Sequence, residues 1–571
     1  TSWTSEYEVL QLEIGIEGEL LPNWGYDIYV QRGEVTGEMT VGPLISTAKM
    51  DQSLLVLPNG ECAPSPSADP NCVASNIYGA GNLSSESVAY LSETGKLDVV
   101  NTQTVMFGSI SGNTMDWFQM PFDAGPIGAA FGFEYLKNET DGVRDAILEP
   151  GAFDGWATVP GVTSAETINK SVFMELLVPL ASGLTAIDFL ELELGARFSD
   201  HSDTGAATSY KAAISYFPIA DLQIRSSFNR AFRSPSMTEL FVPNTQSSTP
   251  NIVDPCARYR FTNDAAINAI RDLCLQTGVP DAMVGTFGLG VPRVIVDNGA
   301  NPNLEEETAA TVSMGLVWTP YDIEGLSFSI DHFNIEIENF ISVDPLQTSP
   351  NSGAADIISA CYNPSESASK SAYACNQITR SESGQITRVF RGYDNAGTHT
   401  LRGWDVNLNY QTDFLDGLLD IGYVATKLTE RTIDASQIGM DKKSCLGQFN
   451  DDCGLITPVP DYKHRLTFYW SRDWLSLQVV GNTISSLSDG DKETNYHTEF
   501  TEDYTTFDVT STMDVKDNIR ITAGLKNATD KQPPVIGSNN LIPNQPVSVN
   551  TYPLLYDVFG RTLFIKLNMS F

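Results

Sequence analysis

The sequence of 571 residues contains no run of about 18 apolar residues, which is the shortest helix that crosses a membrane. This absence excludes a helical membrane protein. The mean hydropathy of -0.13, with 42% hydrophobic residues, fits a soluble β protein and a membrane β-barrel equally well, because a barrel places its apolar residues at alternate positions. No linker or low-complexity stretch divides the chain, so we expect one large domain over residues 1–571.

Positive charge is scarce. The chain has 34 Lys and Arg against 71 Asp and Glu, which gives a formal net charge of -37. Nucleic acids and anionic headgroups are bound through clustered cations, so we expect no nucleic-acid partner.

Histidine is scarce too, and the five histidines show no His-Glu-x-x-His or His-x-His grouping. The sequence also has no nucleophile elbow and no phosphate-binding glycine loop. We therefore expect no catalytic residue, no cofactor and no metal site. The best candidate metal ligands, His497 with Glu499, Glu502 and Asp503, are more simply explained as a solvated acidic loop.

The eight cysteines fall into four pairs that are close in sequence, with flanks rich in Pro, Asn, Asp and Ser. No Cys-x-x-Cys spacing suggests zinc, so disulfides at loop tips are the simplest interpretation, and they indicate an oxidising compartment. The expected pairs are Cys62 with Cys72, Cys256 with Cys274, Cys361 with Cys375, and Cys445 with Cys453.

The chain ends in an alternating strand. Its apolar face carries Leu563, Ile565, Leu567, Met569 and Phe571, and its polar face carries Thr562, Lys566, Asn568 and Ser570. Phe564 interrupts the alternation. Lipid outside and water inside impose this period of two on a bacterial outer-membrane barrel, and an aromatic carboxyl terminus such as Phe571 is typical of the signal for barrel assembly.

The same alternation recurs throughout the chain, in segments 190–198, 221–228, 312–318, 404–410 and 519–525. In a barrel Leu192 would face lipid and Glu191 a wet lumen, whereas a soluble β-sandwich would bury the leucine. Alternation alone does not distinguish the two. Aromatic residues at or near strand ends favour an interfacial girdle: Trp318, Trp404, Tyr410, Tyr469 and Trp470.

Short and long connections alternate along the chain. Segments 218–221, 320–325 and 516–518 are tight turns, whereas all four cysteine pairs lie in long connections, as expected for periplasmic turns and extracellular loops. Segments 84–96 and 263–277 have helical spacing, which predicts short surface helices in two of the long loops. We count about 17 strands, although bacterial barrels have even numbers, so we expect that the amino-terminal part of the barrel is incomplete.

Several segments resemble TonB-dependent outer-membrane receptors. FNRAFRSPSMTELF at 228–241 is similar to a strand-to-loop signature of that family, and other stretches resemble its barrel in matching order: 125–135, 301–308, 330–342, 524–530 and 560–571. The resemblance implies an all-β fold, a transmembrane antiparallel barrel of the 22-stranded type with short helices in extracellular loops. It also implies an amino-terminal plug. Neither this plug nor about five of the 22 strands is visible in this sequence.

The resemblance further implies a function. A receptor of this family in the outer membrane of a Gram-negative bacterium would import a scarce nutrient, a ferric chelate or an oligosaccharide, with energy transmitted by TonB. Its partners would be the TonB complex through the plug, outer-membrane lipid and lipopolysaccharide, the barrel-assembly machinery and the imported small molecule. A passive porin or surface-interaction barrel and a soluble secreted all-β protein remain alternatives.

Two smaller expectations concern the segments that carry the resemblance. Arg225, Arg230 and Arg233 are candidates to face the lumen or a plug, either in salt bridges with luminal acids or in contact with ligand. Asp331 and His332 interrupt the alternation of their strand and predict a β-bulge.

Overall fold

A computed structural model describes most of the chain. The described residues are 2–64, 69–148, 152–154, 164–241, 245–250, 254–257, 264–286, 293–343, 354–362, 368–436, 442–444, 446–449, 458–490, 497–516, 518–536 and 550–570. The predicted pair Cys445 and Cys453 and the terminal Phe571 lie outside these ranges.

The described residues form 28 strands, numbered in chain order, of which seventeen are the long strands of one sheet. These are β1 (Ser2–Leu21), β2 (Trp24–Ser46), β3 (Ser92–Asn113), β6 (Gly128–Arg144), β8 (Ala165–Leu184), β9 (Ile187–His201), β10 (Gly205–Ile219), β11 (Leu222–Arg233), β14 (Glu307–Trp318), β15 (Leu326–Glu338), β19 (Thr398–Phe414), β20 (Gly417–Asp434), β23 (Tyr462–Arg472), β24 (Leu475–Ile484), β26 (Tyr504–Lys516), β27 (Ile519–Lys526) and β28 (Thr562–Met569). The count agrees with the sequence-based expectation.

Each long strand pairs antiparallel with the next long strand in the chain, from β1–β2 to β27–β28. This up-and-down order is that of a barrel wall, and the soluble sandwich is excluded because no second layer covers the sheet in the described part of the chain. Among the described residues β1 and β28 are not paired with each other, so the sheet is open.

One face of the sheet is apolar across its whole width. Residues directly opposite each other on neighbouring strands share a face, so a register row can be followed from strand to strand. One such row runs from Phe468 through Val479 and Val509 to Leu525 and Leu563. These side chains are 37% to 67% exposed, which is unusual for large apolar residues in a soluble protein and expected for a surface that contacts lipid.

The opposite face is mainly polar. A row there passes from Thr426 through Asp405 to Asp331, and another joins Thr512, Thr522 and Lys566. The phenylalanine that interrupts the last strand also belongs to this face. Phe564 lies over Gly524 of β27, where a Cβ atom would come within 2.6 Å of its ring, so the aromatic side chain covers the space that the glycine leaves.

The aromatic residues are divided between the faces. Trp318, Tyr410 and Trp470 lie on the apolar face near the short turns, in line with the predicted girdle. Trp404 is also on the apolar face but opposite His332, in the middle of its strand. Tyr469 pairs with Asp420 and Gln478 on the polar face, so it does not belong to the girdle.

Six α-helices lie in the described connections, and none of them is long and apolar enough to cross a membrane. They are α1 (Thr47–Leu54), α2 (Ser85–Leu91), α3 (Met237–Phe241), α4 (Asp264–Gln276), α5 (Ala354–Tyr362) and α6 (Ala368–Asn376), with 3-10 turns at Ala146–Leu148 and Asp281–Met283. The helix predicted at 263–277 is confirmed as α4. The one predicted at 84–96 is confirmed only for α2, because β3 already begins at Ser92.

Two long loops fold together into one unit, which we call the loop module. It contains α4, α5 and α6 and a small sheet, and its core includes Val294, Ile357 and Val389, all at most 1% exposed.

The shorter strands, in this unit and elsewhere, are β4 (Gln119–Met120), β5 (Gly125–Pro126), β7 (Phe153–Asp154), β12 (Thr245–Pro250), β13 (Arg293–Gly299), β16 (Ile341–Val343), β17 (Ile378–Arg380), β18 (Ile386–Asn395), β21 (Lys443–Ser444), β22 (Gln448–Phe449) and β25 (Ser488–Asp489).

Disulfides and one buried ion pair hold the loops. The described residues contain the bonds Cys62–Cys72, Cys256–Cys274 and Cys361–Cys375, of which the last two belong to the loop module. In the module core the guanidinium of Arg380, 1% exposed, donates to both carboxylate oxygens of Asp254 at 2.5 and 2.9 Å. The disulfides limit the unfolded states of small loops, and the ion pair joins two loops that are far apart in sequence.

Candidate binding site on the interior wall

A cavity of about 910 Å³ lies against the polar faces of β1, β2, β3, β6, β8 and β9. We call this surface the interior wall. The cavity is also lined by the segment 234–238, which follows β11 and belongs to the stretch that carries the family resemblance. A large concave space with convergent polar groups is the usual form of a ligand site.

Six carboxamide side chains line this cavity: Asn101 and five that we call the amide cluster, Gln11, Gln31, Gln103, Asn138 and Asn169. The strand register explains why they meet. Gln11, Gln103 and Asn138 belong to one row, and Gln31 and Asn169 belong to the next row, two residues along the strands. Gln103 Nε2 donates to Asn138 Oδ1 at 3.0 Å. Each carboxamide has donors and acceptors, so the cluster offers hydrogen bonds without net charge.

Three aromatic rings lie on the same face as the amide cluster, nearer the short turns. The rings of Tyr29 and Phe107 have centroids 5.1 Å apart, and those of Phe107 and Phe173 are 6.0 Å apart, both pairs nearly parallel. We call these three residues the aromatic stack. Tyr29 is two residues from Gln31 on β2, so the stack begins about 7 Å from the amide cluster.

A second cavity, of about 420 Å³, adjoins the first. It is lined by Phe107 and Phe173, and both cavities are lined by Arg197, Ser209 and Ala231. The amide cluster and two rings of the aromatic stack therefore line neighbouring cavities on the same wall.

The charge of Arg197 is compensated within the wall. Its Nη2 lies 2.5 Å from Glu134 Oε1, and its Nε donates to Ser199 Oγ at 3.4 Å. Ser199 in turn shares a hydrogen bond of 2.8 Å with Ser171. In the second cavity, the ammonium group of Lys211 pairs with Glu193. Both cations are thus paired with acids of the wall.

The predicted residue Arg225 lies on the polar face of β11. It donates through Nε and Nη2 to the two carboxylate oxygens of Asp331, at 2.8 and 2.7 Å. This fork geometry is the strongest form of an arginine ion pair. The predicted bulge at Asp331 is wrong, because β15 pairs with both neighbours through this position without a shift in register. Asp331 lies on the polar face in the same alternation as Ser329, and the residue out of pattern is His332, which lies on the apolar face with its ring 4.7 Å from that of Trp404.

Arg233 anchors the segment after β11. Its Nε lies 2.6 Å from Glu307 Oε2, and its Nη1 lies 2.8 Å from Glu239 Oε2 in α3. Glu307 also accepts from the backbone N–H of Ile341 at 2.7 Å, which joins a second loop to the cluster. Leu240 packs against Ile341 in a small buried core. The segment that borders the first cavity is thus held by charge and by packing.

Glu239 shows the electrostatic consequence of this arrangement. Partial burial alone would raise its pKa, but hydrogen bonds from Arg233 and from the backbone and hydroxyl of Ser236 outweigh it and hold the pKa of Glu239 below its ordinary value. The carboxylate therefore stays ionised at neutral pH.

The third predicted arginine is placed differently. Arg230 is directly opposite Tyr210 and Ala310, in the same alternation as Phe228, on the apolar face of β11. It interacts electrostatically with Glu306 in the loop before β14. Arg225 and Arg233 thus share one face, and Arg230 is on the other.

Within the described residues no three His, Cys, Asp or Glu side chains are arranged to hold a metal ion. His497, Glu499, Glu502 and Asp503 belong to this part of the chain. Asp503 instead accepts hydrogen bonds from the Tyr462 hydroxyl at 2.6 Å and the Ser486 backbone at 2.8 Å.

Sequence reasoning missed the amide cluster and the aromatic stack. The signal was present as alternation in β2 and β3, where Tyr29 precedes Gln31 and Gln103 precedes Phe107 on the same face. Their convergence depends on the register of five strands, which the spacing within one strand does not supply.

Comparisons with known proteins agree with this architecture. A family model described as TonB dependent receptor-like, beta-barrel, matches residues 71–528. A mutant of the ferric enterobactin receptor PfeA from Pseudomonas aeruginosa superposes with a TM-score of 0.55 at 14% identity, covering 100% of this chain and 62% of that one. The siderophore receptor PirA from Acinetobacter baumannii gives 0.53 at 14% identity, covering 100% and 63%.

A third solved structure, the copper transporter OprC, has a TM-score of 0.51 at 11% identity, with 99% of this chain and 65% of that one covered. At these identities the likeness concerns the fold. The chain spans less than two thirds of the length of these solved structures. No curated protein sequence matches the chain significantly.

Proposed function

The chain belongs to the family of TonB-dependent receptor barrels, and on this premise we propose that it is the barrel of an outer-membrane receptor that imports a scarce nutrient with energy transmitted by TonB. Its place would be the outer membrane of a Gram-negative bacterium. The ligand would be a ferric chelate or an oligosaccharide, too large for passive diffusion pores.

One observation carries this proposal. The sheet has a continuous apolar face of half-exposed side chains and an opposite face that lines a cavity with paired charges and carboxamides. A wall with lipid on one side and a selective polar surface on the other suits a receptor better than a catalyst, and no catalytic constellation is needed to explain its buried polar groups.

The other parts of the proposal concern partners. We propose that an amino-terminal plug occupies the lumen and engages TonB, and that further strands complete the barrel; the solved structures that this chain resembles are longer than it is. Lipid and lipopolysaccharide would surround the apolar face. The barrel-assembly machinery would recognise the carboxyl-terminal strand and Phe571.

The test is uptake in the native host. A deletion strain is grown on defined iron and carbon sources, and the source on which it fails is supplied in labelled form to cells with and without the full-length receptor. The proposal predicts receptor-dependent uptake that stops when a protonophore collapses the proton gradient.

Uptake that continues after the gradient is lost would contradict the proposal and favour a porin. A deletion strain that grows normally on every source would contradict an importer of either kind.

A further inference from the structure

A folded connection lies at the end of the sheet with the short turns, which the proposed function places in the periplasm. It joins β3, which ends at Asn113, to β6, which begins at Gly128, and we call residues 114–127 the rim loop. We propose that the rim loop inserts into the periplasmic leaflet of the outer membrane and binds phospholipid through its apolar side chains. The inference rests on the proposed position of the barrel in the membrane and not on the nutrient that it imports.

The rim loop is long for this end of the sheet and has a structure of its own. It spans 14 residues, whereas the other connections between described long strands at the same end span at most seven, as between Trp318 and Leu326. The Thr114 hydroxyl donates to the Phe118 carbonyl at 2.6 Å and accepts from the Ile127 N–H at 3.0 Å. The short strands β4 and β5 pair within the loop. The rim loop is therefore a defined unit with a fixed surface.

That surface is apolar. Met115, Trp117, Phe118 and Phe122 are 49% to 65% exposed. Phe122 has a backbone φ of 62° or less, at 61°, in the left-handed region that is unfavourable for a bulky side chain. Its carbonyl accepts from the Ser182 N–H at 3.0 Å, which holds it there. Exposed apolar side chains on a strained backbone indicate a contact with something outside the chain.

The rim loop is continuous with the lipid-facing surface. Trp24 begins β2 on the apolar face, opposite to the face that carries Tyr29. The rings of Trp24 and Trp117 have centroids 5.8 Å apart and are nearly parallel, at 12°. Beside them, Asn23 Nδ2 donates to Asp116 Oδ2 at 2.9 Å. The stacked pair places Trp117 on the lipid side of the wall, away from the interior surface that a plug would cover.

The apolar surface of the neighbouring strands is too short to cross a bilayer. The outward-facing side chains of β2 are apolar or aromatic over residues 24–30 and become charged at Arg32. Those of β6 are apolar or aromatic over 129–135 and become charged at Lys137. Each stretch spans seven residues, and the one on β9, 190–198, spans nine. A tilted barrel strand crosses with about 9 to 11 residues, so β2 and β6 fall short by roughly 5 to 10 Å at the end where the rim loop lies.

The charge of the rim loop identifies the kind of lipid contact. It contains Asp116 and Asp123 and no Lys or Arg. The phosphates of lipopolysaccharide and clustered anionic headgroups are bound through cations, which the loop does not supply. Tryptophan and phenylalanine instead bind at the boundary between headgroups and acyl chains, where the ring is buried and the backbone stays hydrated. The partner is therefore this boundary of the phospholipid layer, and the apolar area determines the contact.

Fluorescence quenching at single cysteines in the full-length receptor measures the lipid contact. Phe118→Cys and Phe122→Cys are labelled with bimane and reconstituted in liposomes of phosphatidylethanolamine and phosphatidylglycerol, with and without phospholipid brominated near the headgroup. Bromine quenches the fluorophores that it contacts, so it reports exposure to lipid. Iodide, supplied on both sides of the membrane, reports exposure to water.

Two further positions give the reference values. Phe131→Cys places the label on the apolar face of β6, opposite Ile110, and Asp416→Cys places it in the turn between β19 and β20, where the native side chain is 87% exposed. We expect the brominated lipid to cause a loss of fluorescence at Phe118 and Phe122 comparable to that at Phe131 and much larger than at Asp416. Iodide should quench Asp416 most. Retention of the heat-modifiable band shows that each variant is folded.

Two results overturn the proposal. Labels at Phe118 and Phe122 that iodide quenches and brominated lipid does not would favour a periplasmic protein as the partner. Labels that neither quencher reaches would show that the plug or another part of the receptor covers the rim loop. If the Phe131 label is quenched by lipid in either case, only the rim-loop proposal fails. If the Phe131 label is not quenched by lipid, the lipid-facing wall and the proposed receptor fail with it.

Discussion

An arginine on the apolar face of the sheet should destabilise the barrel much more than the same arginine one residue away. The strand β23 offers a matched pair, because Phe468 lies on the apolar face with 41% exposure and its neighbour Thr467 faces Gly422 and Val480 on the polar face. Phe468→Arg and Thr467→Arg add the same side chain at the same height of the wall.

The position of Phe468 along the strand sets the expected magnitude. It is four residues from Arg472, where β23 ends at a short turn, so with a rise of about 3.4 Å per residue and a tilt of about 40° it lies roughly 10 Å above that end. An apolar band of about 25 Å places this height near the middle of the bilayer.

Arginine at this depth costs about 2 to 4 kcal/mol of folding free energy on a lipid-facing position. On the polar face the guanidinium remains in water, and we expect Thr467→Arg to change the free energy of unfolding by about 0.5 kcal/mol or less. The difference corresponds to about a hundredfold in the equilibrium constant.

Urea titration of the full-length receptor in liposomes, followed by the heat-modifiable band on gels, measures both variants. Equal destabilisation by the two substitutions, or greater destabilisation by Thr467→Arg, would refute the assignment of the faces.

Two further predictions concern the loops. Asp254→Ala leaves the buried guanidinium of Arg380 without its carboxylate. Backbone amides in the core of the loop module should then exchange hydrogen faster, by the equivalent of about 3 to 5 kcal/mol, while the exchange of barrel amides stays the same. Unchanged exchange in the module would contradict a structural role for this ion pair. Because the pKa of Glu239 is lowered, its contact with Arg233 should stabilise the segment 234–241 fully above the ordinary glutamate pKa of about 4.3 and lose that effect as the pH falls through the lower folded-state pKa. Hydrogen exchange of that segment, corrected for intrinsic rates, should show this acid-induced loosening in the native protein and not in Glu239→Gln, and a loosening of equal size in both would exclude this carboxylate as its cause.

The fold could be predicted from sequence to the extent that it depends on local alternation. Strand β9 alternates leucines with glutamates, and β28 alternates Leu563, Ile565 and Leu567 with mainly polar residues. The apolar and the polar face of the sheet can therefore be predicted from the sequence of a single strand. The helices α5 and α6 were not predicted. They are short, and their packing within the core of the loop module supplies the stability that their sequence does not signal.

The site was less predictable because its residues meet only through register. Asp331 reads as an irregularity within its own strand, and its partner Arg225 is 106 residues away. Gln103 and Asn138 are hydrogen-bonded neighbours although 35 residues separate them in the sequence. Pairing between strands is set by the whole sheet, so a reading of single strands identifies candidate side chains but not which of them converge.

The assignment of lipid to one face of the sheet and water to the other is tested most directly by spin labels along β14. Single cysteines at residues 309–314, labelled with a nitroxide in the full-length receptor in liposomes, report exposure to oxygen, which concentrates in lipid, and to a water-soluble nickel chelate. Oxygen exposure should peak at Ala310, Val312 and Met314, and nickel exposure at Ala309, Thr311 and Ser313. The opposite phase, or no period of two, would contradict the barrel on which the receptor function depends.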